Sequence, residues 1–147
     1  MRYAQIRKMD VSNGVGLGIA LFVQGCRFHC ENCFNKKTWD FSGGKAWTKE
    51  IQENFVNLIN PHIQRVSILG GEPLALENID DILNLLQSIR TKHPNINIWL
   101  YTGYCWEFIY DQRWHYHPGT WEKLLTGRFR REQIIKQCDV IVDGPYI

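Results

Sequence analysis

Four short apolar runs, each closed by a glycine-bearing loop, limit what this chain can fold into. They are Gly18 to Gln24, Arg65 to Leu69 before Gly70-Gly71, Ile96 to Tyr101 before Thr102-Gly103, and Asp139 to Val142 before Asp143-Gly144. Apolar residues fall at successive positions in these runs, as in strands covered on both faces. Helical patterns separate them. Thr48 is placed to cap a helix in which Ile51, Phe55, Leu58 and Ile59 recur until Pro61. Ile79, Ile82, Leu83, Leu86 and Ile89 give a second amphipathic helix closed by His93-Pro94. An irregular aromatic region from Cys105 to Trp121 precedes two predicted helices, from about Trp121 to Leu125 and from Arg131 to Lys136. This alternation predicts an α/β fold with a mostly parallel sheet. Right-handed crossovers then bring every strand's C-terminal end to one rim, where such folds place their sites. Four strands are too few for a closed eight-stranded barrel, so a single-domain, partial (open) β/α barrel over residues 1–147 fits the length better.

The first of those loops carries Cys26-Arg27-Phe28-His29-Cys30-Glu31-Asn32-Cys33. CxxxCxxC offers three thiolates, where a closed structural metal site takes four ligands. On a [4Fe–4S] cluster, three thiolates leave one iron with an open coordination position. Zinc is the competing reading. No second cysteine pair completes a zinc ribbon, and His29 could join a Cys₃His site only by turning to the same ion as its neighbour Cys30. Cys105 or Cys138 folding back stays open; otherwise both read as buried apolar residues, and His115 and His117 as surface or packing residues. At the second loop, Gly70-Gly71-Glu72-Pro73 suits close approach of backbone to a ligand, with Glu72 adding negative charge, or an ordinary strand-to-helix turn. Asp10 and Asn13, near a glycine-rich stretch, read as turn formers.

Composition excludes several classes. The formal charge of +2 is too small, and its Lys and Arg too evenly spread, to argue for nucleic acid. Aromatic residues make up 13% of the chain but do not interleave with a basic stripe. The longest apolar stretch, Leu17 to Val23, is too short to span a bilayer, and no signal region opens the chain. Five cysteines, three of them bunched, do not make a disulfide framework, so the expected location is the reducing cytoplasm.

Asn13-Gly14-Val15-Gly16, Leu21-Phe22-Val23-Gln24-Gly25-Cys26, Cys30, Cys33, Asn35 and Thr38-Trp39-Asp40 together resemble the radical S-adenosylmethionine activating enzymes of glycyl-radical proteins. The nearest likeness is to the branch that serves the anaerobic ribonucleoside-triphosphate reductase. It extends through Gly70-Gly71-Glu72-Pro73, Trp99-Leu100-Tyr101-Thr102-Gly103-Tyr104 and Val142-Asp143-Gly144, and so covers nearly the whole chain. Three departures stand out. Asn32 precedes the third cysteine where many radical enzymes have an aromatic residue, and Phe34 follows it instead. Gly18 replaces a basic or hydroxyl residue, and the chain stops at Ile147 where relatives continue, which reads as a C-terminal truncation or a lost C-terminal contact with the partner.

The resemblance implies that Cys26, Cys30 and Cys33 hold three irons of one [4Fe–4S] cluster. S-adenosyl-L-methionine would chelate the fourth through its amino and carboxylate groups. One electron would then cleave its C–S bond to methionine and a 5′-deoxyadenosyl radical, which takes the Cα hydrogen of a glycine in a larger protein. Cofactor contacts are expected at Asn32, Cys33 and Phe34, at Gly70, Gly71 and Glu72, and at Thr102 and Asp143. No side chain is singled out as catalytic, since the cluster and cofactor carry the chemistry. The implied partners are the large glycyl-radical subunit of the reductase and a one-electron reductant such as flavodoxin, with neither nucleic acid nor membrane. The alternatives are activation of a different glycyl-radical protein or small substrate, and a non-catalytic zinc or iron–sulfur binding module.

Overall fold

The computed structural model describes residues 1–110 and 121–147. Its order is β1 (Arg2–Asp10), β2 (Gly18–Val23), a 3-10 turn (Lys36–Thr38), β3 (Lys45–Ala46), α1 (Lys49–Val56), β4 (Arg65–Gly70), α2 (Ile79–Lys92), β5 (Asn97–Tyr101), α3 (Trp106–Tyr110), α4 (Trp121–Lys136) and β6 (Val140–Val142). The strands form one mixed sheet in the order β3-β1-β2-β4-β5-β6. β2, β4, β5 and β6 run parallel to one another, while β1 pairs antiparallel with both β2 and β3.

The four expected strands occur within a residue or so of their expected bounds. β1 and β3 are additions to the expectation. β1 is mostly polar, with only Tyr3 and Asp10 buried, and its register against β2 shifts twice, so no regular alternation exposes it in the sequence. α4 corrects the expectation of two helices: it runs unbroken through Gly127. A Cβ there would lie 2.7 Å from a Leu76 methyl, so this glycine permits close packing and does not end the helix. Cys105 is exposed, not buried; Cys138 is half-buried, and burial pushes its thiol up to about 12. His115 and His117 lie outside the described residues.

Strand alternation splits the sheet into two unlike faces. Ile19, Leu21, Val23, Val66, Ile68, Ile98 and Leu100 join one core cluster with the helices. α1 enters it through Phe55 and Val56, after Thr48 caps its first turn by accepting from the Ile51 N–H at 3.2 Å. α2 contributes Ile79, Ile82, Leu85, Leu86 and Ile89, with Asp80 and Asp81 in its first turn and Arg90 and Lys92 in its last, matching the helix dipole. Burial of these side chains contributes roughly 1.5–3 kcal/mol each and is what holds helices to sheet.

The other sheet face carries no described helix. Ala20, Phe22 and Leu69 form a small apolar patch there, joined by Ala4 and Tyr101. Towards the N-terminal ends of the parallel strands the same face becomes polar and is covered by the loop after β1. Arg65, fully buried, donates to the Asp10 carbonyl at 2.9 Å, to its carboxylate at 2.8 Å and to Ser67 Oγ at 2.7 Å. Ser67 donates onward to the Asn13 carbonyl at 2.6 Å. The expectation of two apolar faces therefore holds only for part of the sheet. Among the described residues, no helix is long and apolar enough to cross a membrane.

Candidate metal and cofactor site

The C-terminal ends of the four parallel strands are sewn together by backbone and by three buried polar side chains, Asn78, Glu72 and Thr102. Gly71 N–H donates to the Val23 carbonyl at 2.9 Å, and Glu72 N–H to the Gly25 carbonyl at 2.7 Å. A Cβ on Gly71 would stand 2.5 Å from that same Gly25 oxygen, so glycine is required here by backbone meeting backbone. Asn78 donates to the carbonyls of Gln24 and Glu72 at 3.1 and 2.9 Å, locking the first two loops to each other. Thr102 N–H reaches the Val142 carbonyl at 2.9 Å, and Gly144 N–H the Tyr104 carbonyl at 3.0 Å.

Glu72 links the second loop to the third. Its carboxylate accepts from Leu74 N–H at 2.8 Å, Thr102 Oγ at 2.7 Å and Gly103 N–H at 2.8 Å. Burial raises its proton affinity above the usual carboxylate range, against the pull of those three donors and of Arg131. The Thr102 hydroxyl is engaged on both sides, since it also accepts from Tyr104 N–H at 3.2 Å. Asp143 accepts from Trp106 N–H at 2.8 Å, at the start of α3. These three side chains thus shape the rim by bonding to the protein itself.

The cysteine loop leaves β2 over this rim. Gly25 and Cys26 donate to the carbonyls of Thr38 and Trp39 at 2.7 and 3.0 Å, so the loop is closed at its base. Cys33 N–H donates to the Cys30 carbonyl at 3.1 Å, which uses the amide expected to face a cofactor. Asn35 N–H donates to Cys33 Sγ at 3.3 Å, and the backbone amides of Phe28 and His29 lie near the Cys26 sulfur. Burial pushes the Cys26 thiol up, with Glu72 adding to that effect against the two amides.

All three cysteines face one cavity of about 350 Å³. Phe34 joins them there, together with Gly70, Gly71 and Glu72 from the second loop and Thr102 and Asp143 from the third and fourth. Asn32 is exposed and does not line it. The cavity also takes in Phe28, Asn35, Tyr101 and Tyr146, which were not singled out as site residues. A hydrophobic or polar side chain at a strand end reads as a core or turn residue, and only its position on the helix-free face reveals otherwise. Arg131 gave no sequence signal either. It is buried in α4, donates to the Leu74 carbonyl at 2.9 Å and sits 4.7 Å over the Tyr104 ring.

The donor set fits an iron–sulfur cluster. The three thiols are free and on one cavity, and the Asn35 amide is directed at the Cys33 sulfur. His29 turns away and stacks on Trp39, with ring centroids 4.5 Å apart. Among the described residues, no three His, Cys, Asp or Glu side chains converge as on a single metal ion.

Comparison with known proteins gives the same chemistry. A family described as "4Fe-4S single cluster domain" matches residues 12–147. Proteins named anaerobic ribonucleoside-triphosphate reductase-activating protein are similar over the full chain. The one from Salmonella typhi is 41% identical, the alignment covering 100% of this chain and 86% of the relative. That from Escherichia coli K12 is 34% identical with the same coverages. The enterobacteria phage T4 protein is 33% identical, over 99% of this chain and 81% of its own length. The chain therefore belongs to the 4Fe–4S single-cluster domain family, among the anaerobic ribonucleoside-triphosphate reductase-activating proteins.

Proposed function

We propose that this protein activates anaerobic ribonucleoside-triphosphate reductase by installing a glycyl radical on its large subunit. The observation that carries the reading is the convergence of Cys26, Cys30 and Cys33 with three other strand-end loops on one cavity, in a chain whose relatives bear that name. The parallel strands β2-β4-β5-β6 follow one another in chain order with helices on one face. That arrangement suits a single-domain partial β/α barrel of the radical S-adenosylmethionine type, open on the side that must admit another protein's loop. Cytoplasmic placement and an electron donor such as flavodoxin complete the reading.

Cys26, Cys30 and Cys33 would hold one [4Fe–4S] cluster and leave a fourth iron for S-adenosyl-L-methionine. When bound, the pair supplies a one-electron cleavage of the cofactor's C–S bond, giving methionine and a carbon radical that removes a glycine Cα hydrogen. The protein's own part is to bind, orient and shield. The Gly70–Glu72 segment, held by Gly25, Asn78 and Thr102, fixes one wall of the cavity and keeps backbone groups available to a ligand's amino group. Because the Glu72 carboxylate is spent on Leu74, Thr102 and Gly103, its contribution to the cofactor is the shape of that wall and a nearby negative charge. Phe28, which lines the cavity, packs edge-on against Tyr104 with ring centroids 5.0 Å apart.

The test is anaerobic reconstitution with iron and sulfide, followed by electron paramagnetic resonance with and without S-adenosyl-L-methionine. A cluster spectrum that changes with the cofactor is expected, and a glycyl signal on the reductase after reduction. Cofactor cleavage with no glycyl signal would sink the activase reading and favour another substrate. A colourless protein that takes up zinc alone would sink the cluster as well.

A further inference from the structure

The cavity over the three cysteines has a neighbour. A second hollow, of about 710 Å³, lies on the helix-free sheet face, and its lining includes Ala4 and Phe22 of the apolar patch there. Cys33, Phe34 and Asn35 line both hollows, so these three residues of chain are the partition between them. The cavity between α1 and α2 and the one beside Pro61 and Pro94 include no cysteine. In the reading above, the first hollow is taken up by S-adenosyl-L-methionine and the approaching glycine loop. An electron bound for the cluster needs another approach, and the second hollow ends at one of the cluster's ligands.

The rim of the second hollow is basic, and its backbone is held in place. Lys36 and Lys37 both line it, are exposed, and stand in the 3-10 turn that follows the partition. Lys45, also exposed, follows Gly44, another lining residue. Among the described residues, no carboxylate pairs with any of these three lysines. Asp40, the acid closest in sequence to Lys37, instead accepts from Ser42 N–H and Ser42 Oγ, each at 2.8 Å. Buried Gln24 donates to the Lys37 and Asp40 carbonyls at 3.1 and 2.7 Å. Thr38 N–H and Thr38 Oγ both donate to the Asn35 carbonyl, at 2.8 and 2.7 Å. These bonds fix the turn, so its charge is displayed at one place.

Unpaired cations around a concavity focus a positive potential, which steers an acidic protein to that spot. The formal charge of the whole chain is only +2, so the effect is local. We propose that this hollow is the docking site of an acidic one-electron donor protein, which delivers its electron to the cluster through Cys33. The donor is oxidised by one electron and the cluster reduced by one; no bond breaks and no proton moves. The inference rests on the three-cysteine cluster of the preceding reading and adds where its electron enters.

The experiment is stopped-flow reduction of the reconstituted protein by reduced flavodoxin, an acidic donor, read as bleaching of the cluster. S-adenosyl-L-methionine and the reductase are both left out. Lys36→Glu combined with Lys37→Glu is expected to slow the second-order rate on the order of tenfold at low salt. The deficit should shrink as salt rises, because screening removes the steering. Lys36→Gln combined with Lys37→Gln should fall between that pair and the wild type. Photoreduced 5-deazariboflavin, small and uncharged, should reduce all three proteins at one rate, which a general disturbance of the cysteine loop would not allow. Lys49→Glu with Lys92→Glu changes the net charge equally but lies on the cavity between α1 and α2, so its flavodoxin rate should stay close to the wild type. Equal slowing by the two charge-reversed pairs overturns the proposal. So does an unchanged flavodoxin rate in the Lys36 and Lys37 variants; weaker binding to the reductase in those variants would then give the hollow to that partner. Should charge reversal prevent folding, the glutamine pair decides: slowing with flavodoxin alone supports the proposal, and slowing with both reductants, or with neither, overturns it. A wild type that forms no [4Fe–4S] cluster, or whose cluster 5-deazariboflavin does not reduce, would reject the reading beneath and the proposal with it.

Discussion

The two ends of the helix-free sheet face are built from similar residues and end in opposite states. At the N-terminal end, Asp10, Asn13, Arg65 and Ser67 bond to one another and leave Arg65 Nε as the cluster's one buried polar side-chain atom without a partner, with Arg65 and Asp10 side chains each 1% exposed. Gly14 and Gly18 pack so tightly on the Arg65 side chain that a Cβ on either would come within 2.7 Å of it. At the C-terminal end, Glu72, Thr102 and Asn78 also bond inward, yet the three thiols remain facing a void. A polar cluster that turns nearly all its donors and acceptors on itself, in tight packing, is a plug. One that leaves soft ligands over an open volume is a site.

Substitutions should separate the two ends. Cys30→Ser is expected to abolish the cluster chromophore and its paramagnetic signal, while the unfolding free energy of the apoprotein stays within about 0.5 kcal/mol of wild type. Retention of a full cluster by that variant would break the assignment of the open end. Arg65→Met is expected to do the reverse. Leaving Asp10 buried without its partner should cost about 3–5 kcal/mol in urea unfolding, with any folded fraction still binding iron. Loss of iron at unchanged stability would show that the closed end is part of the site after all.

Acid titration sharpens the contrast. Burial alone would raise the Asp10 carboxyl, but hydrogen bonds from Arg65 and Asn13 outweigh it and hold it below the usual carboxylate range. A group with a depressed folded pKa stabilises the fold above its unfolded value, near about 4, and that stabilisation disappears as the pH falls through the folded value. The wild-type protein should therefore lose stability on acidification below about pH 4 more steeply than Asp10→Asn, which lacks this proton uptake. Parallel acid limbs for the two proteins would remove Asp10 from the account.

How much of this was legible beforehand depends on whether a residue's role is local. The parallel strands were readable because Ile19 to Val23 and Val66 to Leu69 are apolar at each step or nearly so, and glycines punctuate them. The cysteines were readable because ligand spacing is written in consecutive residues. β1 was not, since its burial comes from β2 and β3 and not from a pattern of its own. Gly70 and Gly71 were legible as glycines suited to close backbone approach, but a second reason for them was not. Their neighbours are the Phe22 and Gly25 backbones, a meeting of segments some 50 residues apart that only the folded chain displays. Arg65 and Arg131 likewise gave no sign of their burial, because a buried guanidinium is identified by its partners alone.

The smallest expected effects come from one hydroxyl at each end. Ser67 Oγ accepts from Arg65 and donates to Asn13, and it is fully buried. Ser67→Ala would leave a guanidinium N–H and a carbonyl without that partner, at a cost of roughly 1.5–3 kcal/mol because one group is charged. Thr102 Oγ donates to Glu72 Oε1, but that oxygen also accepts from Leu74 N–H, so it is not stranded when the hydroxyl goes. Tyr104 N–H also loses the hydroxyl as acceptor, but that contact is long at 3.2 Å and only part-buried, so Thr102→Val, nearly the same in shape, should still cost less, about 1 kcal/mol. The ligand readout should invert this order. Thr102 holds Glu72, and through it the Gly70–Glu72 wall, so Thr102→Val should weaken S-adenosyl-L-methionine binding to the reconstituted protein severalfold, while Ser67→Ala leaves it unchanged. Equal affinities in the two variants would mean that the wall is held by Gly25 and Asn78 alone.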